Sequence, residues 1–323
     1  MKIFVVGGAG YIGSICSEVL LNKGYDVVVF DNLTEGHRKA IDSRAKFTEG
    51  DLSNRAAVEK ALSESRPDAV MHFAASALVG ESMRDPSKYF RNNVGNGVNL
   101  LDAMIATDVK NFVFSSTCAI FGPPERLPID ETLPKAPINP YGDSKLIFER
   151  ILRWYQELHG LKFVSLRYFN AAGASENFGE DHRCETHLIP NVLKVALGEK
   201  PEVEVFGTDY DTPDGTCIRD YIHIFDLAQA HILALTSDKT EFFNLGTGGG
   251  ASVREVIEAG RRVTGREIKI VEKPRRPGDP PRLIASSAKI KRELGWAPQF
   301  QSLDQIMESA WRWHQKFPKG YGD

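Results

Sequence analysis

The sequence predicts an α/β protein, a doubly wound parallel sheet followed by a smaller mixed α/β substrate-binding domain. Three observations lead there. Short apolar runs alternate with helical patterns through the first half of the chain, as parallel strands joined by crossover helices do. A glycine turn, Gly7-Gly-Ala-Gly10-Tyr-Ile-Gly13, separates the first strand from the first helix. After about residue 171 the alternation loosens into loops and short elements. The expected division is therefore 1–170 and 171–323, with 219–246 packing back onto the first part.

The elements follow in order. An apolar run predicts a strand over 3–6, and Ile15, Val19 and Leu20 give a helix over 12–22 that stops at Asn22-Lys-Gly24. A strand over 26–30 ends in Asp31, and a short one at 47–49 precedes Asp51-Leu52. Helices over 54–64, 90–107 and 143–159 alternate with strands over 69–74, 111–115 and 162–168. Ligands of such sheets bind beyond the carboxyl ends of the strands. The glycine turn, Asp31, Phe73-Ala-Ala75 and Ser115-Ser-Thr117 all fall there.

Strand, glycine turn and helix N-terminus make a phosphate site. The glycines let backbone approach a diphosphate, and the helix N–H groups and dipole favour its charge. Asp31 lies 18 residues beyond Gly13, where an acid bonds the adenosine ribose and repels a 2′-phosphate, so NAD is favoured over NADP. Glycines also serve ordinary turns, and an aspartate also caps helices; the complete unit is what favours a dinucleotide.

The string Asn139-Pro-Tyr141-Gly-Asp-Ser-Lys145 carries the chemistry. Residues four apart at a helix start share one face, and an ammonium beside a phenol stabilises phenolate. Lowering a tyrosine from about 10 to near neutrality takes roughly 4 kcal/mol, so a second positive charge is required. Taken alone, such a pair usually decorates a helix surface.

Together these residues resemble the extended short-chain dehydrogenase/reductase family, whose glycine spacing is Gly-x-x-Gly-x-x-Gly. Within it the resemblance is to the UDP-glucose/UDP-galactose 4-epimerases. It runs almost end to end, through NFVFSSTCAIFG, NPYGDSK, LRYFNAAGA, RDYIH and PRRPGD to GYGD. The resemblance implies a Rossmann domain with tightly bound NAD, whose nicotinamide supplies the missing charge beside Tyr141. It implies catalysis by Tyr141, Lys145 and Thr117, through a 4-keto sugar formed and reduced again at carbon 4. Implied cofactor contacts are Gly7, Gly10, Tyr11, Ile12, Gly13, Asp31, Asn32, Asp51, Leu52, Phe73, Ala74, Ala75, Asn92, Ser115, Tyr141, Lys145 and Tyr168. Implied UDP-sugar contacts are Thr117, Asn170, His187, Leu188, Phe206, Arg219, Arg276 and Asp279. Guanidinium forks suit paired phosphate oxygens, although Arg275-Arg276 alone reads as a solvated basic turn and Phe206 equally as core.

Some positions depart from that pattern. Ala77 stands where some relatives carry a lysine reaching the cofactor, and His187 replaces an asparagine and reads first as structural. Leu283 occupies a place that borders the hexose in relatives, and an apolar residue there does not settle which sugar fits. Cys118-Ala119 lacks the acidic groups of the dehydratases and decarboxylases.

Composition excludes other classes. The 323 residues carry a net charge of −3, which gives nucleic acid no reason to bind. Cys16, Cys118, Cys184 and Cys217 form no Cys-x-x-Cys pair, so neither zinc site nor disulfide framework is expected, and the histidines are assigned no metal. The first strand begins too early for a signal peptide, and no apolar stretch is long enough to span a bilayer; a cytoplasmic location follows. Trp311 and Trp313 read as packing residues.

Two helices look apolar on more than one face. Val94, Val98, Leu101 and Ile105 form one stripe with Leu100 and Met104 beginning another, and the 143–159 pattern is apolar around much of its girth. A helix covering a sheet needs one apolar face, so a homodimer through these helices is expected. Alternatives to UDP-galactose/UDP-glucose epimerisation are the same reaction on UDP-pentoses or UDP-N-acetylhexosamines, a net NAD-dependent nucleotide-sugar dehydrogenase, and a silent NAD-sensing binding protein.

Overall fold

The computed structural model describes residues 1–276 and 279–322. Pro277 and Gly278, from the expected phosphate-binding loop, and the terminal Asp323 lie outside the described residues. Six strands, β1 (Lys2–Val6), β2 (Asp26–Asp31), β3 (Lys46–Glu49), β4 (Ala69–His72), β5 (Asn111–Thr117) and β6 (Lys162–Tyr168), join Glu241–Leu245 in one sheet. The order across it is Glu241–Leu245, β6, β5, β4, β1, β2, β3, and all pairings are parallel. The winding reverses at β1, the position where such sheets open a ligand crevice.

Both faces of the sheet are covered, which explains the unbroken apolar runs. In β1, Ile3 and Val5 enter one core with Ile15, Leu227 and Trp313. Phe4 and Val6 enter the other with Leu100, Met104, Phe112 and Phe148. The helix Ile224–Leu235 contributes Leu227 and Ala230 to the first core, beside the strand Glu241–Leu245. A third core holds Ile189, Val192, Leu193, Val256, Ile257 and Met307, from the helices Leu188–Ala196, Val253–Thr264 and Leu303–Lys316. Trp313 is buried, and Trp311 packs at the edge of this third core.

Several boundaries differ from the sequence expectation. β4 stops at His72 because the N–H groups of Phe73 and Ala74 both turn to the Val6 carbonyl, at 2.8 and 3.2 Å. β5 continues to Thr117, paired with Tyr168. The single helix expected over 90–107 is a turn at Pro86–Tyr89, a wide π-helical segment Phe90–Gly95, and an α-helix Asn96–Ala106. Its buried Asn93 bonds Ser76 N, Ser76 O and Ser144 Oγ, a polar demand that apolar periodicity does not register.

The helix expected over 143–159 is Pro140–His159. Asn139 caps it by accepting from Gly142 N at 2.8 Å, Pro140 occupies the first turn, and Gly160 ends it at φ 68°. Tyr141 therefore sits in the first turn, above Lys145. Among the described residues no helix is long and apolar enough to cross a membrane.

Candidate functional site

The helix α1 (Tyr11–Asn22) begins at Gly10, and no side chain caps it. Its first-turn N–H groups are thus left for an anion. Glycine is required on either side for different reasons. Gly7 has φ +79°, and a Cβ there would lie 2.4 Å from Ala74 N. A Cβ on Gly13 would lie 2.2 Å from Gly7 O, so only glycine lets α1 cross the strand end this closely. A Cβ on Gly10 would meet nothing nearer than Gly7 O at 3.5 Å, which leaves open space over the turn.

Asp31 closes the crevice at the end of β2. Its Oδ2 accepts from Ala9 N at 3.0 Å and its Oδ1 from Leu33 N at 2.8 Å. Burial raises its pKa, and those backbone bonds work against the rise. Beyond it, Asn32 Nδ2 donates to Asp51 Oδ2 at 2.5 Å, and Asp51 is held below its usual range by Ser53, with Asn32 adding to it. Leu52 is buried next to this pair. Asn92 Nδ2 donates to Ser76 Oγ at 3.1 Å. This crevice fits a dinucleotide: an uncapped helix start, a turn with no room for a Cβ at Gly7 or Gly13, and a fixed carboxylate at the end of the neighbouring strand.

The second group lies at the end of β5. Lys145 Nζ donates to Ser115 O at 2.9 Å and lies 4.7 Å from the centre of the Phe114 ring. Burial drops its pKa to about 7, with Glu149 opposing the drop. Burial pushes Tyr141 up to about 12, against a hydrogen bond with Thr117 that favours phenolate. Tyr168 is raised as well, by burial and then by Tyr141, with Ser115 bonding it. Tyr141, Lys145, Thr117, Ser115 and Tyr168 thus meet around one spot. His231 donates from Nδ1 to Leu227 O at 2.9 Å, so its Nε2 accepts the Ser115 hydroxyl at 3.1 Å.

The third group is cationic. Arg219 donates to Pro280 O at 2.9 Å and to Asp279 Oδ1 at 3.3 Å. The Arg276 guanidinium lies 3.9 Å from the centre of the Phe206 ring. Asn170 donates from Nδ2 to Asp220 O at 2.9 Å, which ties it to the Arg219 strand. Burial pushes Cys118, next to Thr117, up to about 12, and the Arg219 charge opposes that rise, so the third group lies near the second. Leu283 pairs with Arg219 across two short strands. His187 does not join the cationic group; it lies between Glu180 and Glu185, and Leu188 starts the following helix. Ala77 is exposed, and Arg275 pairs with Asp209 instead.

Two supports escaped the sequence reading. Asp220 is fully buried and accepts from Thr247 N, Gly248 N and Ala285 N at 2.8, 2.9 and 3.0 Å. It gathers three loops behind Arg219, and nothing in its local string announces that. Glu149 and Arg167 form a buried bidentate pair at 2.9 and 2.7 Å. Glu149 lies one turn beyond Lys145, a spacing that did signal a neighbour.

Comparison with known proteins converges on this architecture. Residues 3–246 match the NAD dependent epimerase/dehydratase family. A UDP-glucose 4-epimerase of Lacticaseibacillus casei is 50% identical over 329 residues, covering 100% of this chain and 99% of that one. A crystal structure of a UDP-glucose 4-epimerase superposes with a TM-score of 0.97 at 48% identity, covering 99% of both chains. The Bifidobacterium longum UDP-glucose 4-epimerase in complex with NAD+ and UDP has a TM-score of 0.95 at 40% identity, covering 99% of this chain and 100% of that one. The glycine crevice, the Tyr141/Lys145 pair and these full-length likenesses agree: the chain belongs to the NAD-dependent epimerase/dehydratase family.

Proposed function

We propose that the chain catalyses reversible 4-epimerisation of a UDP-sugar, with UDP-galactose and UDP-glucose as its pair, using tightly bound NAD. The observation that carries this is the meeting of Tyr141, Lys145 and Thr117 at the end of β5, between the glycine crevice and the arginine-lined cleft.

Held in the crevice, NAD would supply the hydride acceptor and donor for carbon 4, so no net redox change would result. Tyr141 takes the proton of the 4-hydroxyl and gives it back, and Thr117 bonds that hydroxyl and relays the proton. In the crevice, Gly7, Gly10, Tyr11, Ile12 and Gly13 would hold the diphosphate of the cofactor, Asp31 with Asn32 its adenosine ribose, and Asp51 with Leu52 its adenine. Phe73, Ala74, Ala75, Asn92, Ser115, Lys145 and Tyr168 would hold its nicotinamide half. Lys145 supports the phenolate, yet burial drives Tyr141 the wrong way; the positive charge of a bound nicotinamide would oppose that rise.

Arg219 and Arg276 clamp the UDP diphosphate, Asp279 holds the uridine ribose, Phe206 flanks uracil, and Asn170 with Leu188 borders the rest. Holding the nucleotide hard leaves the hexose free to turn over while carbon 4 stays in place. Residues 1–170 with the returning segment 219–246 form the NAD-binding part, and the remainder binds the UDP-sugar.

We place the enzyme in the cytoplasm as a homodimer. Trp154 is 60% and Leu158 68% exposed on the helix Pro140–His159, an apolar face that a second copy of that helix would cover. A monomer mass by light scattering at micromolar concentration removes the dimer.

The reaction is tested by incubating the protein with UDP-galactose, UDP-glucose, UDP-N-acetylhexosamines and UDP-pentoses, without added NAD, and identifying products. Interconversion of UDP-galactose and UDP-glucose is expected. Accumulating NADH with added NAD would instead indicate a dehydrogenase, and no interconversion with cofactor bound would remove the epimerase.

A further inference from the structure

The segment 180–187 contains two Glu-x-His pairs, Glu180-Asp-His182 and Glu185-Thr-His187. The fold brings them together. One donor atom from each of Glu180, His182, Glu185 and His187 lies within 4.8 Å of the other three. His187 Nδ1 stands 2.9 Å from Glu180 Oε1 and 3.0 Å from Glu185 Oε1. His182 Nε2 stands 3.2 Å from the same Glu180 oxygen. A ring nitrogen carries one proton, so His187 cannot satisfy both carboxylates fully.

A second observation is independent of that crowding. The Glu185 side chain is only 3% exposed, and its Oε2 has no hydrogen-bond partner. A buried carboxylate oxygen left unpaired is costly. Tyr11, whose ring edge faces His182, does not relieve it, since its hydroxyl donates to Gly173 O at 2.6 Å.

We propose that Glu180, His182, Glu185 and His187 form a binding site for a divalent first-row transition ion of the zinc class. Two imidazoles with two carboxylates suit zinc, whereas calcium and magnesium take oxygen ligands alone. Bonds of about 2.0–2.2 Å set tetrahedral ligands roughly 3.3 Å apart, so the pairs at 2.9–3.2 Å would spread slightly and the wider ones, at most 4.8 Å apart, would draw in. The sequence alone assigns these histidines no metal, because they carry no ligand spacing and His187 reads first as structural. The ion has a structural role. Asp181 O is bonded by His37 at 3.1 Å, Asp181 Oδ2 accepts from Tyr321 N at 2.9 Å, and Arg183 donates to Thr34 O at 2.9 Å. A cation would lock the remaining stretch, which leads directly into His187 and Leu188 at the start of the next helix.

The inference goes beyond the epimerase reading and does not depend on it. The test is calorimetric titration of zinc chloride into chelator-stripped, NAD-containing protein. One ion per chain with a Kd below about 1 μM is expected. His182→Gln and Glu185→Gln should each weaken binding by more than about tenfold, and Cys184→Ser should leave it unchanged. Absence of saturable binding to the wild type overturns the proposal whatever the variants do. Binding that survives both substitutions, or is lost in Cys184→Ser alone, also overturns it. Circular dichroism and retained NAD check that the variants are folded.

Discussion

Lys145 donates from Nζ to the carbonyl oxygen of Ser115, 2.9 Å away, and so fixes the helix that bears Tyr141 against the strand that ends in Thr117. One bond sets the spacing of all three proposed catalytic side chains. Replacing Tyr141 by Phe keeps that bond and removes only the proton carrier. Turnover of Tyr141→Phe should fall by about 10²–10⁴-fold, while UDP binding by calorimetry stays close to that of the wild type. Near-normal turnover would take Tyr141 out of the mechanism.

The arginine cleft should behave differently. Arg276 stacks on Phe206 and is otherwise exposed, so its removal leaves no buried charge behind. Arg276→Ala should raise the Kd for UDP roughly 10- to 100-fold, the scale of a hydrogen bond between charged groups, with NAD content unchanged. Equal UDP affinity in the variant would show that Arg276 does not touch the diphosphate.

Gly13 has no room for a methyl group, because the added carbon would lie 2.2 Å from a backbone oxygen that cannot swing away. Gly13→Ala should cost about 1–3 kcal/mol by overpacking and lose most bound NAD. Gly24→Ala has free space around it but a φ of +82°; it should lower stability while leaving NAD content intact. Absorbance of the denatured supernatant measures the difference.

Stability should fall on mild acidification. Burial lowers His72 to about 3 and His223 and His231 to about 4. Unfolded histidines protonate near 6.5, so below that pH the unfolded chain takes up protons that the fold refuses. The stability is fully present above about pH 7 and is lost progressively as pH falls toward 4. Urea midpoints at pH 7, 6 and 5 should drop steadily, and His231→Gln should flatten that slope. A slope left unchanged by His231→Gln would contradict the neutral, buried state of that ring.

Much of the site was legible because its strings are local. The glycine turn, Asp31 and the Tyr141/Lys145 pair each lie within one strand–loop–helix unit, where spacing alone fixes the geometry. Three kinds of feature were less legible. The break between Tyr89 and Asn96 follows from polar bonds made by Asn93 to distant Ser76 and Ser144. Asp220 organises loops that are far apart in sequence. The Glu-x-His repeat was visible, but only folding the segment on itself brings the four donors to one point.

The strand Glu241–Leu245 sits at the edge of the sheet, hydrogen-bonded along β6 from Val164 to Tyr168. A gene fragment ending near codon 170 would therefore leave β6 with a bare row of amide and carbonyl groups. Such an edge recruits other chains, so the truncated product should precipitate where the intact protein stays dispersed. Recombination with a relative faces the same constraint: a chimaera that exchanges residues between β6 and this strand needs both crossovers inside that interval to keep the sheet within a single parent.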